Sequence, residues 1–457
     1  MALAASFFVI IRKVLISMFR VYMEKALNRF NLFSDGKFKL FIGLIFSGFL
    51  LLLVFLPRYS EVFAVLLLLL GFSVLKGLRD AVVRCRLESY ERWLIVVFAL
   101  YGFISIFSFL YWPATRDSHM RVEDDLKFLI CILLYLLLRR YEFNIQWFLG
   151  LFVAFVFMMG FTSVSQYVGF SLVADLFPLD HRASAGVNPM RYAVVALVSS
   201  CIVINYRLAV KSKSVCVKIL LIAVGLMGLV ACALTQTRGV WIAIPLLILL
   251  YGYYVFKKGN QKYFIAILLG GSLIVGVGLQ TDFVQKRVGV TVENIQQYNN
   301  GSTHTSLGMR LDVYKASYTL INDRPLWGYG LGTFQERIAL MVKNGTINDH
   351  VYRQISVLRT PHNEFIQALV ERGVIGLLAT IMLFFVPGYI FYRAVKSKSE
   401  KVTYYGLCGL SVLIVFFVAG QTGTLFNHNL FTNFYIIMVL LFVSQIRVLG
   451  FGEGETA

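Results

Sequence analysis

The chain has 457 residues, of which 58% are hydrophobic and only 15% charged, and its formal net charge is +19. Soluble globular chains carry roughly a quarter charged residues, so this balance excludes an ordinary soluble enzyme and reads as an integral membrane protein. The positive charge implies no nucleic-acid partner, because it is concentrated in short loops between apolar runs such as 76–92, 207–218, 257–262 and 393–401.

The first 39 residues form a cytoplasmic amino-terminal segment. Within residues 1–30, Arg12, Lys13, Arg20, Lys25 and Arg29 alternate with Phe, Ile, Leu and Val, the pattern of an amphipathic helix lying on an anionic leaflet. It does not read as a cleavable signal, since the apolar stretch precedes the charges and no A-x-A site follows.

Twelve apolar runs then follow, at residues 40–57, 61–78, 93–112, 126–139, 146–168, 190–206, 218–235, 239–256, 262–280, 373–392, 403–420 and 431–446. Each reaches or approaches the ~20 residues that span a bilayer, with snorkelling Lys and Arg helping the shorter ones. The fourth is charge-free only from Phe128 to Leu138, so it is either a helped span or a buried, partly re-entrant piece. With the amino terminus inside, most of the 43 Lys and Arg residues fall in inside segments, as the positive-inside rule requires. The expected architecture is therefore an all-α polytopic membrane protein. It has spans one to nine in 40–280, a large helical outer loop at 281–372, spans ten to twelve in 373–446, and a cytoplasmic tail at 447–457. Cys131, Cys201, Cys232 and Cys408 lie in spans and Cys85 and Cys216 in inside loops, so no disulfide framework is expected.

The outer loop is patterned. Asp282–Tyr298 and Leu307–Ile321 read as amphipathic helices separated by Asn299-Asn300-Gly301-Ser302. Asn322-Asp323-Arg324-Pro325 breaks the second, and Leu326-Trp327-Gly328-Tyr329-Gly330-Leu331-Gly332 supplies three alternate glycines for a sharply bent turn. Helix resumes over 335–343. A further helix is expected to start with Thr360 as N-cap and Pro361 at its first position, running into span ten.

His362, in the first turn of that helix near the outer boundary, is a candidate general base; the alternative is a polar residue at a helix start. Arg238, in Thr235-Gln236-Thr237-Arg238-Gly239 at the junction of spans seven and eight, asks for an anionic partner or is a snorkelling arginine in a short turn. Arg191 and Arg310 pose the same choice. Several guanidinium groups on one face suit a diphosphate. The histidines at positions 119, 181, 304, 350, 362 and 428 show no metal-type spacing, and the Gly328, Gly330, Gly332 spacing is not a nucleotide fingerprint.

Five elements occur in a distinctive order: R-A-S-A-G-V-N-P-M-R-Y-A at 182–193, T-Q-T-R-G around Arg238, R-L-D-V-Y from Arg310, P-L-W-G-Y-G-L-G-T-F, and P-H-N-E-F-I-Q-A-L-V-E-R-G-V-I-G. Together, and in topology over the whole chain, they resemble the O-antigen ligase family. The resemblance implies transfer of an O-polysaccharide from an undecaprenyl-diphosphate carrier to a sugar hydroxyl of lipid A-core, on the periplasmic face of a bacterial inner membrane, with no cofactor, metal or ATP. It assigns His362 as the base and Arg238, Arg310 and Arg191 as diphosphate ligands. Arg182, Asn363, Glu371 and His428 are further candidates, Asn363 and Glu371 being open to a capping or surface-shaping role instead. O-antigen polymerases and protein O-oligosaccharyltransferases share the histidine-asparagine motif and remain alternatives. A lipid-linked glycan transporter fits less well, because transporters place their ionisable groups near the midplane in repeated halves.

Overall fold

The structure is a computed structural model and describes residues 35–55, 57–72, 87–112, 115–170, 182–210, 214–280, 282–299, 306–347 and 360–451. The amphipathic segment expected at 1–30, and His181, His304 and His350, lie outside the described residues. Those residues fold into helices without strands. In chain order they are α1 (Asp35–Phe55), α2 (Pro57–Gly71), α3 (Ser89–Tyr111), α4 (Arg116–Leu138), α5 (Ile145–Val168), α6 (Pro189–Ala209), α7 (Val215–Leu234) and α8 (Arg238–Trp241). There follow α9 (Ala243–Lys257), α10 (Gln261–Gln280), α11 (Asp282–Asn299), α12 (Ser306–Asp323), α13 (Phe334–Lys343), α14 (Glu364–Val395), α15 (Glu400–Gly420) and α16 (Asn429–Val448).

The described residues of the twelve apolar runs lie mostly on these helices, residues 73–78 of the second run lying outside the described residues. Among the described residues, eight helices are long and apolar enough to cross a membrane: α3, α5, α6, α7, the α8–α9 pair, α14, α15 and α16. The chain is thus a polytopic helical membrane protein. Polar side chains set many helix starts. Asn144, Asn188 and Ser399 accept backbone N–H groups at the starts of α5, α6 and α15, and Pro189 occupies the first turn of α6. Burial sorts the helices into layers. Almost all of the apolar window of α16 is buried (94%) but only 33% of that of α7, so α16, α15 and α6 form the centre while α3 and α7 present apolar side chains outward. Lipid solvates such a face.

The fourth run lies on α4, one continuous 23-residue helix whose apolar half, with Phe128, Cys131 and Leu134 buried, packs against α2, α3 and α16. One expectation needs correction. The helix ahead of span ten does not start at Thr360. Asn363 is its N-cap, its side-chain oxygen accepting from Phe365 N at 2.9 Å and Ile366 N at 3.1 Å. His362, at φ +52°, is left-handed, a conformation that cannot belong to an α-helical turn. Helix α14 is then interrupted at Gly373 (φ 63°, ψ −160°).

Helices α12 and α13 have their own small core, in which Val313, Ala316 and Leu320 of α12 pack with Tyr329, with Phe334 and Ile338 of α13, and with Val370 of α14. The loop thereby closes on the first segment of α14. The glycine turn is tied to the same segment: Tyr329 N donates to Val370 O at 2.9 Å, Gly330 N to Glu371 O at 2.8 Å and Val374 N to Pro325 O at 2.8 Å. A Cβ on Gly373 would lie 2.6 Å from Trp327 N, and one on Gly328 would lie 2.5 Å from Glu371 C. Both glycines have positive φ, so backbone conformation and close approach together demand them.

Candidate active site

The segment joining α15 to α16, residues 421–428, is where the candidate residues converge. Asn363 Nδ2 donates to Gln421 O at 3.2 Å, and Thr360 lies beside Thr424, Oγ1 to Oγ1 3.5 Å. Buried Glu364 accepts both Leu425 N (2.7 Å) and Phe426 N (3.2 Å) on Oε2. From another side Gly239, next to Arg238, packs on Thr422, where a Cβ would come within 2.8 Å of Thr422 Cβ. Met190 covers Gly423, and its neighbour Arg191 reaches His428, Nη2 to Nδ1 3.0 Å.

All of these groups sit at the same end of the bundle: the C-terminal ends of α7 and α15 and the N-terminal ends of α6, α14 and α16. The other end carries Arg139, Arg207, Arg393, Lys401 and Arg447, next to the opposite termini of α4, α6, α14, α15 and α16. There, buried Glu91 gathers Arg139 (2.8 Å), Arg447 (3.5 Å) and the Tyr135 hydroxyl (2.6 Å). These basic residues and the candidate site are thus at opposite ends of the bundle.

Among the described residues three non-glycine side chains sit at positive φ, namely Ala185, Gln236 and His362. Each adjoins a candidate: Arg182, Arg238 and His362 itself. Such conformations cost of order 1–3 kcal/mol each and persist where the surroundings over-determine them. The surroundings here are specific. Ala185 N donates to Gln166 Oε1 at 2.9 Å and Ala183 N to Leu234 O at 3.4 Å, which draws the 182–186 segment to the end of α7. The Gln236 turn is braced by Thr235 Oγ1, which donates to Cys232 O at 2.7 Å and lies 3.0 Å from Thr237 Oγ1.

The arginines divide into two sets. Arg238 is half-buried, and Arg310 and Arg182 are near enough to act on its charge, so these three guanidinium groups share one region. Arg191 stands with His428. A guanidinium only donates, so Nδ1 of His428 accepts and the neutral ring carries its proton on Nε2. Burial, then the charges of Arg191, Arg121 and His362, push the His428 imidazole down to about 4. It therefore remains neutral at physiological pH, with an N–H to offer. His362 is its neighbour.

Beneath this surface lies a buried charge network. Arg121 Nη2 donates to Glu371 Oε2 at 2.8 Å, and the other carboxylate oxygen accepts from Gln367 Nε2 and from Gly332 N at 2.9 Å. Arg372 donates to Ser105 Oγ (2.9 Å), Asp125 Oδ2 (3.0 Å) and Tyr101 OH (3.1 Å), with its guanidinium over the Tyr101 ring at 4.6 Å. Glu371, a surface or cap candidate from sequence, is instead fully buried and joins α4, the glycine turn and α14. Asn363 is the cap it could have been. Sequence reasoning overlooked Arg121, Asp125 and Glu364. A signal existed for the first two, whose i, i+4 spacing leads into an apolar run; nothing local marks the third.

A family model described as O-antigen ligase matches residues 222–381, the stretch that holds Arg238, Arg310 and His362. The chain carries an O-antigen ligase family domain. A relative named "O-antigen ligase" from Escherichia coli K12 is 24% identical over 185 residues, 39% of this chain and 42% of that protein. A Haemophilus influenzae protein described as uncharacterized is 21% identical over 411 residues, 88% of this chain and 97% of the relative. The family match leaves out Arg182, Arg191 and His428, which the fold brings to the same face as the domain's own histidine and arginines.

Proposed function

We propose that the protein is an O-antigen ligase of a bacterial inner membrane, with both termini cytoplasmic and twelve crossings. It would transfer O-polysaccharide from undecaprenyl diphosphate to a sugar hydroxyl of lipid A-core on the periplasmic face. The observation that carries this reading is the convergence of His362, His428, Arg191 and Arg238 on the 421–428 segment, at the end of the bundle opposite those basic residues. The positive-inside rule makes the basic end cytoplasmic.

In this reading the acceptor oxygen attacks the anomeric carbon while His362 takes its proton, and the bond from that carbon to the diphosphate oxygen breaks. Direct displacement inverts the configuration. Arg238 and Arg310 stabilise the charge that develops on the departing diphosphate, with Arg182 beside them and Arg191, across the 421–428 segment, as a further contact. The leaving group is already good, so stabilising its charge supplies the main requirement and neither ATP nor metal is needed. His428 offers its Nε2–H to a substrate oxygen. Asn363 and Glu371 act on position: Asn363 starts the helix directly after His362, and Glu371 fixes that helix to α4.

The test incubates purified protein with undecaprenyl-diphosphate-linked glycan, without metal or ATP, in the presence and absence of lipid A-core, and resolves the products on a gel. Product that depends on lipid A-core is the expected result. Longer carrier-linked chains formed without it would make the protein a polymerase. No covalent product in either arm would return the reading to transport or to another acceptor.

A further inference from the structure

Helix α3 carries a stripe of outward apolar side chains, Trp93, Val96, Leu100, Phe103, Phe107 and Leu110, spaced three or four apart, and Leu110 is 75% exposed. On a helix able to cross a membrane, such a stripe is the face that lipid solvates. The tip of the outer loop lies on it. The Trp327 ring packs against Phe107 with centroids 5.3 Å apart, while Phe107 stacks on Tyr111 at 5.6 Å. Phe107 precedes the end of α3 by four residues, so at ~1.5 Å per residue Trp327 reaches about 6 Å inside the helix end. Its ring nevertheless stays half exposed, as does neighbouring Leu326.

Alongside, the Arg324 guanidinium is held over the Trp112 ring at 4.5 Å and over the Tyr329 ring at 4.9 Å, and Arg324 itself is exposed. The nearby Asp323 carboxylate accepts the Tyr329 hydroxyl. An apolar pair, an indole ring and a propped guanidinium at the end of a membrane helix match the composition of a bilayer interface, where Trp and Tyr gather at headgroup level. Guanidinium groups bind phosphate oxygens through paired hydrogen bonds.

We propose that residues 324–327 form a lipid-binding anchor: Leu326 and Trp327 enter the boundary between headgroups and acyl chains, and Arg324 engages a phospholipid phosphate. The anchor is coupled to the candidate site. Pro325 O accepts from Val374 N, and the next turn bonds to Val370 and Glu371, so the depth of the tip sets the height of the α14 segment that follows His362. This does not depend on which acceptor the enzyme uses.

The experiment places the full chain in nanodiscs of phosphatidylcholine brominated at the 6,7 or the 11,12 acyl positions, or unbrominated. The emission of Trp327 is taken as the difference between wild type and Trp327→Phe, the chain having five tryptophans. The expected result is at least twofold quenching of that difference signal by shallow bromines, less by deep ones, and none by aqueous iodide. Quenching by iodide but not by bromolipid would overturn the proposal. So would a signal that responds only to added lipid-linked glycan, which would make the surface a sugar platform. Hydroxyl-radical footprinting of the wild-type protein in nanodiscs needs no variant. Leu326 and Trp327 should be oxidised at least threefold more slowly than exposed Tyr318 on α12, and equal oxidation would refute the anchor.

Discussion

Glu364→Ala probes how the site is held together. The carboxylate accepts two backbone N–H groups, of Leu425 and Phe426, and all three residues are completely buried. Removing the acceptor leaves both donors without a partner in a dry interior, at ~1–3 kcal/mol each. Even the low end, ~2 kcal/mol for the two, lowers the docking equilibrium constant of the 421–428 segment about 30-fold, at ~1.4 kcal/mol per factor of ten. That segment carries His428 and covers Gly239, so transfer from the lipid-linked donor should fall measurably, by up to a similar factor. Glu364→Gln keeps a carbonyl oxygen of the same reach and should stay near wild type. The assay pairs initial transfer rate with thermal stability in detergent for both variants. A glutamine variant as defective as the alanine one would show that the charge matters and the acceptor does not. An alanine variant with full rate and stability would remove the clamp altogether.

His362→Ala should reduce transfer by ~10²- to 10⁴-fold, the usual range for a general base, while the purified protein keeps its helical circular dichroism and melting temperature. Arg121→Gln and Glu371→Gln each leave a buried charge without its partner, so each should cost ~3–5 kcal/mol; the double variant, measured in the same unfolding assay, should lose less than the sum. The His428 imidazole is held at about 4 against an ordinary 6.5, so between those values the unfolded chain binds a proton that the folded chain does not. Stability is therefore whole above about pH 6.5 and falls as pH drops towards 4, by up to about 3 kcal/mol at ~1.4 kcal/mol per pH unit. His428→Gln should flatten that acid limb in pH-dependent melting.

Helix placement was legible because lipid makes it so: a backbone crossing hydrocarbon must bond within itself, and the described part of each apolar run accordingly lies mostly on helix. The outer-loop helices were legible from amphipathic spacing and from the break at Asn322–Pro325. What could not be read is what distant partners decide. Thr360 and Pro361 carry the local signals of a helix start, yet Asn363 takes the cap, because its amide also reaches Gln421 and His362 turns left-handed. Glu364 meets its partners 61 and 62 residues later, and Arg121 meets Glu371 at a separation of 250. No window of sequence contains both members of such pairs. Motif order found His362, Arg191 and Arg238 as separate points, and only the fold shows that one eight-residue segment touches the neighbourhood of each.

The electrostatics of the two layers differ in a way that bears on the substrate. In the buried layer Arg121 is matched to Glu371 and Arg372 to Asp125, while Glu364 is bonded to backbone N–H groups. These acids are engaged below the surface. In the layer above, the charges of Arg310 and Arg182 act on Arg238, while Arg191 contacts His428 and also feels the carboxylate of Glu61. Like charges gathered together raise one another's cost, and an anion among them lowers it; in the function proposed above, the donor diphosphate would be that anion. In the proposed transfer reaction a diphosphate would supply that charge in the donor and carry it away on the leaving group, so the same arginines would favour both capture of the donor and departure of its carrier.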